Sequence, residues 1–477
     1  MKTRRIHLIN PVTDSFTTNP VYFKKALYSP LAGLLAVASL IPHDQYEVIL
    51  TDENIQAIDF DIKADMVGIS AMTSYVKRGY QIADAFRERG VKVIMGGVHP
   101  SFMPTEALQH ADAVVVGEAE LVMPEVLKDL KDGRLSGIYK AGRLHSMVDL
   151  PLPRYDLVKT KRYFNRAFIQ TSRGCRHACT FCAEHLMNGL RLRLRPIDDV
   201  LREIESCGER IIALNDADFF GSPAHAAKLM KALKNRGFRW QAGVNSRDAF
   251  DDRLLELAAE SGCYMISIGL ESISRESLKN VHKHQNRPEK FKALVKKVQS
   301  YGIMVFGLFM FGFDHDNESV FEETSRFNID AGFDACAYSL LTPYPGTLIW
   351  FEMLKQDRIL SCDWNKYDQG HIVYRPKNLT AEQLMHGHAS VYRSFYSIPS
   401  IFRRFPRKAS RNRLHWILYN MIGHKRISRR CKPAETLPKV IERSLHRAKP
   451  PVMPERKDWE ALVLETSPRE HVITCSS

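Results

Sequence analysis

Cysteine is scarce in this sequence. Nine cysteines occur in 477 residues, an odd number, and outside one short stretch they stand far apart. A disulfide framework needs paired cysteines at regular spacings in an oxidising compartment, so this pattern excludes a small disulfide-stabilised secreted protein. We therefore expect free thiols in a reducing compartment.

Long hydrophobic runs are also missing. The most apolar stretches, such as Leu31 to Ile41, are far shorter than the roughly 20 residues that a membrane-spanning helix needs. The first residues contain no basic segment followed by an apolar run and a cleavage site. We expect a cytoplasmic protein.

An excess of positive over negative charge occurs in only one region of the sequence. Between Ile401 and Lys457 there are 17 lysines and arginines and three glutamates, a surplus equal to the net charge of +14 of the whole chain. The remainder of the sequence is balanced. Because this basic segment contains no recognisable nucleic-acid-binding module, a nucleic-acid partner is not expected.

Short β-rich runs alternate with helical patterns over roughly the first 130 residues. The runs start at Arg5, Tyr46, Met66, Lys92 and Ala113. This alternation predicts an α/β fold with a doubly wound parallel sheet, whose ligands lie at the carboxyl ends of its strands. We expect this domain to cover residues 1–138 and to be followed by a linker at 139–160, which contains two prolines and a glycine.

A second α/β series follows the linker. Its six candidate strands start at Ala167, Arg210, Arg239, Tyr264, Ile303 and Ala335. Six βα units over residues 161–375 predict a partial (β/α)6 barrel with its functional residues on the loops after the strands. Residues 376–477 are predicted to form a helical, basic C-terminal extension.

Three clustered cysteines are the strongest chemical signal. Cys175, Cys179 and Cys182 lie within eight residues, directly after the first strand of the second series. Structural zinc takes four ligands, usually in two separated pairs, and no second close pair of cysteines exists in the sequence. A [4Fe-4S] cluster held by only three thiolates leaves one iron open to a ligand that is not protein.

On this motif, with Phe181 before its last cysteine, the chain resembles the radical SAM superfamily. The resemblance implies that the open iron binds S-adenosylmethionine and that an electron from the cluster cleaves it to a carbon radical. It also implies further contacts with S-adenosylmethionine, from Phe181, Asp216, Asp218, Glu271, Gly307 and Gly312. The alternatives are tight strand packing for the glycines and solvated loops for the acidic residues. The sequence points to no particular catalytic residue.

An α/β domain ahead of such a barrel resembles the cobalamin-binding subgroup of the superfamily. That subgroup has a D-x-H-x-x-G loop, an S-x-L segment and a G-G turn, and this chain has Asp52 to Ala57, Ser70 to Met72, and Gly96 with Gly97 in the same order. The resemblance implies that cobalamin is bound there. The alternative is a flavodoxin-like domain retained for packing or substrate contact.

Two positions qualify the resemblance to cobalamin-binding domains. Asn54 stands where the cobalt-ligating histidine is expected, and Ala57 replaces the glycine of the loop. The resemblance therefore implies cobalamin without a protein ligand to cobalt. Glu118 also matches the subgroup, either at the cofactor site or as a residue that orients a loop.

The resemblance implies an enzyme that methylates an unactivated carbon. In such enzymes the deoxyadenosyl radical removes a hydrogen from the substrate, which then takes a methyl group from methylcobalamin. Two alternatives remain open, a radical oxidative cyclase or rearrangement enzyme without methyl transfer and a non-catalytic iron-sulfur electron carrier or sensor. The implied partners are a small-molecule substrate, with lipids, tetrapyrroles and natural-product intermediates all open, and an electron donor such as flavodoxin or ferredoxin.

The basic extension contains one amphipathic pattern. Leu414, Ile417, Leu418 and Met421 fall at helical spacing between basic residues, and Trp416 is counted with this apolar stripe. One interpretation is an interfacial helix attracted to anionic lipid, which would place the protein peripherally at the inner face of the membrane. The other is a helix that closes the bottom of the barrel.

Overall fold

Two six-stranded parallel sheets form the body of the protein. The computed structural model describes residues 4–12, 32–158, 163, 167–406 and 412–430, with side chains as far as 425 in the last range. The strand order is β2-β1-β3-β4-β5-β6 in the first sheet and β14-β13-β12-β11-β10-β7 in the second. The predicted α/β fold, with a doubly wound domain, a partial barrel and a helical extension, is confirmed.

The first sheet is covered by helices on both faces. Its inner strands are buried almost throughout, as expected for parallel strands between two helical layers. Its strands are β1 (Arg4–Asn10), β2 (Tyr46–Asp52), β3 (Met66–Ser70), β4 (Lys92–Gly96), β5 (Ala113–Val116) and β6 (Gly137–Lys140). Its helices are α1 (Ala32–Ser39), α2 (Val76–Arg87), α3 (Val98–Phe102), α4 (Pro104–His110) and α5 (Met123–Lys131).

The strand order of this sheet places a switch point between β1 and β3. From β1 the chain moves first to one side, to β2, and then to the other, to β3. Ligands of doubly wound sheets bind in the crevice at the carboxyl ends of the strands beside such a point. Strand β6 takes Tyr139 and Lys140, which the sequence assigns to the linker, into the sheet.

The second sheet follows chain order and is open between its edge strands β7 and β14. A separate antiparallel pair, β8 with β9, belongs to the same domain. The strands are β7 (Ala167–Ile169), β8 (Ser172–Arg173), β9 (Arg193–Leu194), β10 (Ile211–Leu214), β11 (Arg239–Val244), β12 (Cys263–Glu271), β13 (Met304–Phe311) and β14 (Ala335–Leu340). The helices are α6 (Glu184–Asn188), α7 (Ile197–Ser206), α8 (Pro223–Leu233), α9 (Asp252–Glu260), α10 (Arg275–Asn280), α11 (Pro288–Ser300), α12 (Ser319–Ala331) and α13 (Leu348–Lys355).

Helix α14 (Ala381–Phe395) covers the open edge at β14. The hydroxyl of Tyr392 exchanges hydrogen bonds with the amide and carbonyl of Tyr338, and that of Tyr396 does the same with Cys336. An exposed edge strand leaves such backbone groups unpaired and open to pairing with other chains. The tyrosines satisfy them without a seventh strand.

The last two described helices close the lower end of the barrel. They are α15 (Ile398–Arg404) and α16 (Arg413–Arg430). Trp416 is 2% exposed and packs with Tyr264, Met265 and Met304, near the amino ends of β12 and β13. The prediction that Trp416 shares the outward apolar stripe is wrong, because this ring points into the protein.

The two domains meet at the carboxyl ends of both sheets. Phe102, in the helix after β4, fills the space where a Cβ atom of Gly346 would lie, 2.4 Å away, and Gly346 belongs to the loop after β14. A shared core joins helix α2 to Trp350 and Trp364 of the second domain. The loops that carry functional residues in each fold therefore face one another.

Candidate functional site

A glycine fixes the start of the cysteine loop, which runs between β8 and α6. Gly174 has a φ of 94°, and a Cβ atom there would lie 2.3 Å from the carbonyl oxygen of Arg191. The amide of Cys175 donates to the carbonyl of Gly189 at 3.1 Å. Only glycine fits this turn without strain, so the direction in which the chain enters the loop is set by Gly174.

A buried carboxyl group supports the segment before the loop. Asp216 follows β10 and accepts hydrogen bonds from the amides of Thr171 and Ser172, at 2.7 and 2.8 Å, and from the Thr171 hydroxyl at 2.5 Å. Burial raises the pKa of Asp216 to about 6, although these hydrogen bonds favour the ionised form. The residue predicted to contact S-adenosylmethionine therefore also fastens the polypeptide that leads to the cysteines.

The three thiols are free and lie close together. No disulfide forms among the cysteines of the described residues. Burial raises the pKa of all three loop thiols, that of Cys182 to about 12, and the charges of Cys179 and Cys175 also act on Cys182. Within the described ranges, no three His, Cys, Asp or Glu side chains form a group suited to a single metal ion. Binding of a metal group by these thiols displaces their protons.

A lysine that no sequence motif marks lies beside the thiols. Lys283, in the loop after α10, pairs with Glu271 at 2.9 Å, and its ammonium nitrogen is 5.9 Å from the ring centroid of Phe181. Burial disfavours the charged ammonium, but Glu271 and the thiols of Cys179 and Cys182 outweigh burial, so the pKa of Lys283 is raised. Its fixed positive charge favours an anionic group at the cysteines.

Glu271 has an unusual backbone conformation. It ends β12 with a φ of 64°, a left-handed value that is uncommon for a residue other than glycine. The pairing of β12 with β13 shifts register between Gly269 and Glu271, and a Cβ atom on Gly269 would lie 2.6 Å from the Glu271 carboxylate. Such local strain is typical of functional sites. The predicted S-adenosylmethionine residue thus lies at the carboxyl edge of the barrel, beside Lys283.

Asp218 lies on another side of the cysteine loop. It accepts hydrogen bonds from the backbone amide and side-chain amide of Asn245, at 3.1 and 2.7 Å. The guanidinium of Arg176 is 3.9 Å away but pairs more closely with Asp248, at 2.6 Å. The charge of Asp218 also acts on the thiol of Cys175. The fold therefore brings Asp218 near the cysteine loop, and its contact with S-adenosylmethionine stays a prediction.

The two predicted glycines of the fifth barrel strand both have packing partners. A Cβ atom on Gly307 would lie 2.9 Å from the ring of Phe333. Gly312 has a φ of 101°, and a Cβ atom there would lie 2.2 Å from the hydroxyl of Tyr374, which donates to the Gly312 carbonyl. Close packing accounts for both glycines, and their contact with S-adenosylmethionine stays a prediction.

A largely apolar cavity of about 220 Å³ lies between α1 and the first sheet. Glycines open its walls, because a Cβ atom at Gly33 or Gly117 would have no neighbour within 4 Å. The cavity extends to Arg173, Met187 and Asn188 of the barrel domain. Because glycine has no side chain, this space stays open and reaches the boundary with the barrel domain.

The predicted cobalamin residues divide between this cavity and the end of β2. The cavity is lined by Ser70, Gly96, Gly97 and Glu118. Gly97 has a φ of 98°, and a Cβ atom there would lie 2.8 Å from the carbonyl oxygen of Ala71. Asn54 does not line the cavity, and its side-chain amide donates to Asp52 at 2.8 Å and to the carbonyl of Pro11 at 3.3 Å.

Glu118 joins the two domains. Its carboxylate pairs with Arg193 at 2.6 Å and with Arg173 at 3.2 Å, and it accepts from the amide of His145 at 2.8 Å. Burial disfavours the ionised form, but these partners outweigh burial and lower the pKa of Glu118. Glu120 pairs with Arg173 at 2.7 Å. Since Arg173 directly precedes the cysteine loop, these contacts couple the loop to the cavity.

A cysteine loop at the top of an open barrel, facing a doubly wound domain with a glycine-lined cavity, defines an enzyme with two cofactor sites. A family model of the Radical SAM superfamily matches residues 169–327, and one of the B12 binding domain matches residues 25–127. The sequence is 31% identical over 420 residues to the bacteriochlorophyllide d C-12(1)-methyltransferase of Chlorobaculum tepidum, covering 86% of this chain and 90% of that protein. The chain therefore belongs to the radical SAM superfamily, in the group that carries a B12-binding domain.

Two further comparisons extend over most of the chain. The anaerobic magnesium-protoporphyrin IX monomethyl ester cyclase of Rubrivivax gelatinosus is 23% identical, covering 83% of this chain and 76% of that one. The cobalamin-dependent S-adenosylmethionine radical enzyme OxsB, solved with aqua-cobalamin and S-adenosylmethionine bound, superposes with a TM-score of 0.62 at 14% identity, covering 98% of this chain and 79% of that one. The second similarity supports the fold.

The predicted cofactors are a [4Fe-4S] cluster, S-adenosylmethionine and cobalamin, and the two family matches confirm all three. The residues present fit these groups. Three free thiols beside a largely buried lysine suit an anionic iron-sulfur cluster, and the glycine-lined, largely apolar cavity suits part of a corrinoid. The prediction of an enzyme is confirmed with them.

Proposed function

We propose that this protein methylates an unactivated carbon of a small molecule bound between its two domains. The observation that carries the proposal is the contact of Glu118 with Arg173, which couples the glycine-lined cavity directly to the cysteine loop. When bound, the cofactors supply a carbon radical at the loop and a transferable methyl group at the B12-binding domain. Both must reach one substrate carbon, and the facing carboxyl edges provide that common space.

The residues of the chain have separate parts in this proposal. Cys175, Cys179 and Cys182 hold the cluster, and Lys283 neutralises part of its negative charge. The six residues that the resemblance assigns to S-adenosylmethionine act in two ways. Phe181, Asp218 and Glu271 contact the nucleoside or its methionine part, whereas Asp216, Gly307 and Gly312 hold the elements that present them.

We further propose that the substrate is a tetrapyrrole or a molecule of similar size and rigidity. The relative that is 31% identical over most of both chains is a bacteriochlorophyllide methyltransferase. Another relative, the cyclase, also acts on a tetrapyrrole according to its name. Lipids and other natural products are the alternatives to be tested beside it.

The test is anaerobic turnover of the reconstituted protein with S-adenosylmethionine, methylcobalamin, reduced methyl viologen as the electron source, and a panel of tetrapyrroles and lipids. We expect both 5′-deoxyadenosine and S-adenosylhomocysteine, together with a substrate heavier by one methylene unit. Cys179→Ala should abolish both nucleosides, whereas the matched Cys207→Ala variant should form them normally, because Cys207 lies outside the loop, at the end of α7.

Other product patterns identify the competing functions. Deoxyadenosine with an oxidised or cyclised product and no S-adenosylhomocysteine would indicate the oxidative cyclase instead of a methyltransferase. Absence of S-adenosylmethionine cleavage by a reduced, fully loaded cluster would indicate an electron carrier or sensor.

A second proposal concerns the membrane. No helix in the described ranges is both long and apolar enough to cross a bilayer. Phe402, Leu414 and Met421 are nevertheless 76%, 75% and 58% exposed on α15 and α16, within the strongly basic part of the sequence. We infer that this face rests on an anionic membrane surface, which matches the composition of interfacial helices.

Vesicle binding tests this second proposal. The protein should bind vesicles of equal parts phosphatidylglycerol and phosphatidylcholine, and binding should weaken as salt shortens the screening length below about 8 Å. Leu414→Ser with Met421→Ser should reduce binding, whereas Ile138→Ser, at an exposed position of the first domain, should not. If vesicle binding does not change with salt or with the Leu414 and Met421 substitutions, or if the full-length protein does not bind vesicles, the membrane proposal is wrong. Helix α16 would then have only its role under the barrel.

A further inference from the structure

The reaction proposed above consumes electrons that the chain itself does not hold. Reductive cleavage of S-adenosylmethionine takes one electron from the cluster, so an outside reductant must return one electron to it. The electron has to arrive through a surface close to the cysteine loop. The inference that follows rests on this proposed function.

A basic concavity lies directly beside the cysteine loop. It encloses about 770 Å³, and Arg176, His177 and Ala178, which stand between the first two cysteines, form part of its wall. The opposite wall comes from the loop after α10 and the first turn of α11. The amide of Thr180, which directly follows Cys179, donates to the carbonyl of Val281 at 3.2 Å, so the segment that carries this wall packs directly on the cysteine loop.

The charge of this concavity has one sign. Its charged lining residues are Arg176, Arg247, Arg287 and Lys290, and its lining includes no aspartate or glutamate. Arg176 and Arg247 share Asp248, at 2.6 and 3.1 Å. Arg287 and Lys290 are exposed and have no ion-pair partner among the described residues. The amino end of α11 adds its partial positive charge to the same wall.

We propose that this concavity is the docking surface for an acidic one-electron carrier protein, a flavin or iron-sulfur protein of low potential. Transfer of one electron oxidises the carrier by one unit and reduces the cluster by one unit, and no atom is exchanged. An open surface of this size suits a protein better than a small anion, which needs an enclosed site. Complementary charge speeds the encounter of such partners and orients them.

The test uses the protein with its cluster assembled and measures cluster reduction by absorbance and paramagnetic resonance, without S-adenosylmethionine or substrate. The donors are a reduced bacterial flavodoxin and the small cationic reductant, reduced methyl viologen. Arg287→Glu with Lys290→Glu should slow reduction by flavodoxin at least about tenfold at low salt and should flatten its salt dependence. Reduction by methyl viologen should not slow.

The matched control reverses the charge of two exposed lysines outside the concavity. Lys228→Glu with Lys231→Glu changes the net charge equally on α8, away from the concavity, and should alter the flavodoxin rate less than about twofold. Calorimetric titration of the protein with oxidised flavodoxin gives a second readout, in which only the Arg287 and Lys290 double variant should lose affinity.

Other outcomes would overturn the docking surface. One is a rate of reduction by flavodoxin that does not change in the double variant. Another is an equal loss of rate in the control variant, or an equal loss with methyl viologen as the donor. A third is tight binding of inorganic phosphate or ATP that the double variant loses without any change in the rate of reduction by flavodoxin. Because cluster reduction is measured without turnover, a failure of methyl transfer leaves this test intact.

Discussion

The two cofactor regions of this molecule are built on opposite principles. The cavity of the first domain is largely apolar and is kept open at Gly33 and Gly117, which have no side chains. The cysteine loop is shaped by charged and polar side chains, with Lys283 beside it and Asp216 beneath it. A large, mostly neutral group needs volume, whereas a small metal cluster needs ligands and compensating charge. Changes of volume and changes of polarity should therefore affect the two regions separately.

The largest expected effect comes from the glycine at the start of the cysteine loop. Gly174→Ala places a Cβ atom 2.3 Å from the Arg191 carbonyl at a left-handed φ, so the loop must move. We expect most of the iron and sulfide to be lost on reconstitution, while bound cobalamin is retained. Iron, sulfide and corrinoid assays on the same sample measure both. Equal loss of both cofactors would show that the regions are not independent.

Filling the cavity should have the reverse effect. Gly33→Leu adds a side chain that meets no existing atom within 4 Å of its Cβ and occupies the cavity. Because leucine favours a helix over glycine by roughly 0.5–1 kcal/mol, α1 should not be weakened. We expect bound cobalamin to fall several-fold with the cluster unchanged. Gly33→Ala is the matched control, which gains helix propensity but leaves most of the volume. A Gly33→Leu protein that keeps its cobalamin would disprove the assignment of the cavity.

The smallest expected effect is a change in how stability depends on pH. Burial raises the pKa values of Asp216, Asp316 and Asp334 in the barrel domain to about 6. In the first domain, hydrogen bonds and opposite charges outweigh burial and lower the pKa values of Glu106 and Glu118. The three aspartates bind protons more tightly when folded, so their contribution to stability is present at low pH and is lost as pH rises through about 6.

Replacing one of these aspartates tests the sign. Asp216→Asn should shift the slope of unfolding free energy against pH upward between about pH 4.5 and 6, by at most about 1.4 kcal/mol per pH unit, because the variant lacks this titrating carboxyl group. Thermal unfolding of the cluster-free protein across this range measures it. A slope equal to that of the unaltered protein would contradict the raised pKa of Asp216.

The sequence predicts most strands of both sheets, but it does not predict the short edge strand β6 or the face of α16 that packs against the barrel. Runs such as Tyr46–Asp52 are β-rich and bounded by turns, so their register follows from local pattern. Strand β6 was missed because Gly137–Lys140 is a four-residue edge segment with a glycine and an exposed lysine. Trp416 was misplaced because helical spacing alone does not tell which face of α16 meets the barrel.

The cysteines could be predicted and Lys283 could not, for a physical reason. Three thiolates on one loop are a local pattern, whereas Lys283 reaches them only because β12 and the turn after α10 fold back over the loop. The link between Glu118 and Arg173 is likewise a contact between two domains. The sequence does contain a pair of glutamates, Glu118 and Glu120, after a buried strand. That Arg173 is their partner depends on the tertiary structure and cannot be read from the sequence.

Tyr392 in α14 and Tyr396 directly after it also limit the number of strands that the barrel can have at its β14 edge. Tyr392 and Tyr396 occupy the amide and carbonyl groups of Tyr338 and Cys336, which an added strand would need for pairing with β14. A seventh βα unit gained by duplication would have to displace this helix before it could join the sheet. The C-terminal extension therefore sets the limit of the sheet at its β14 edge.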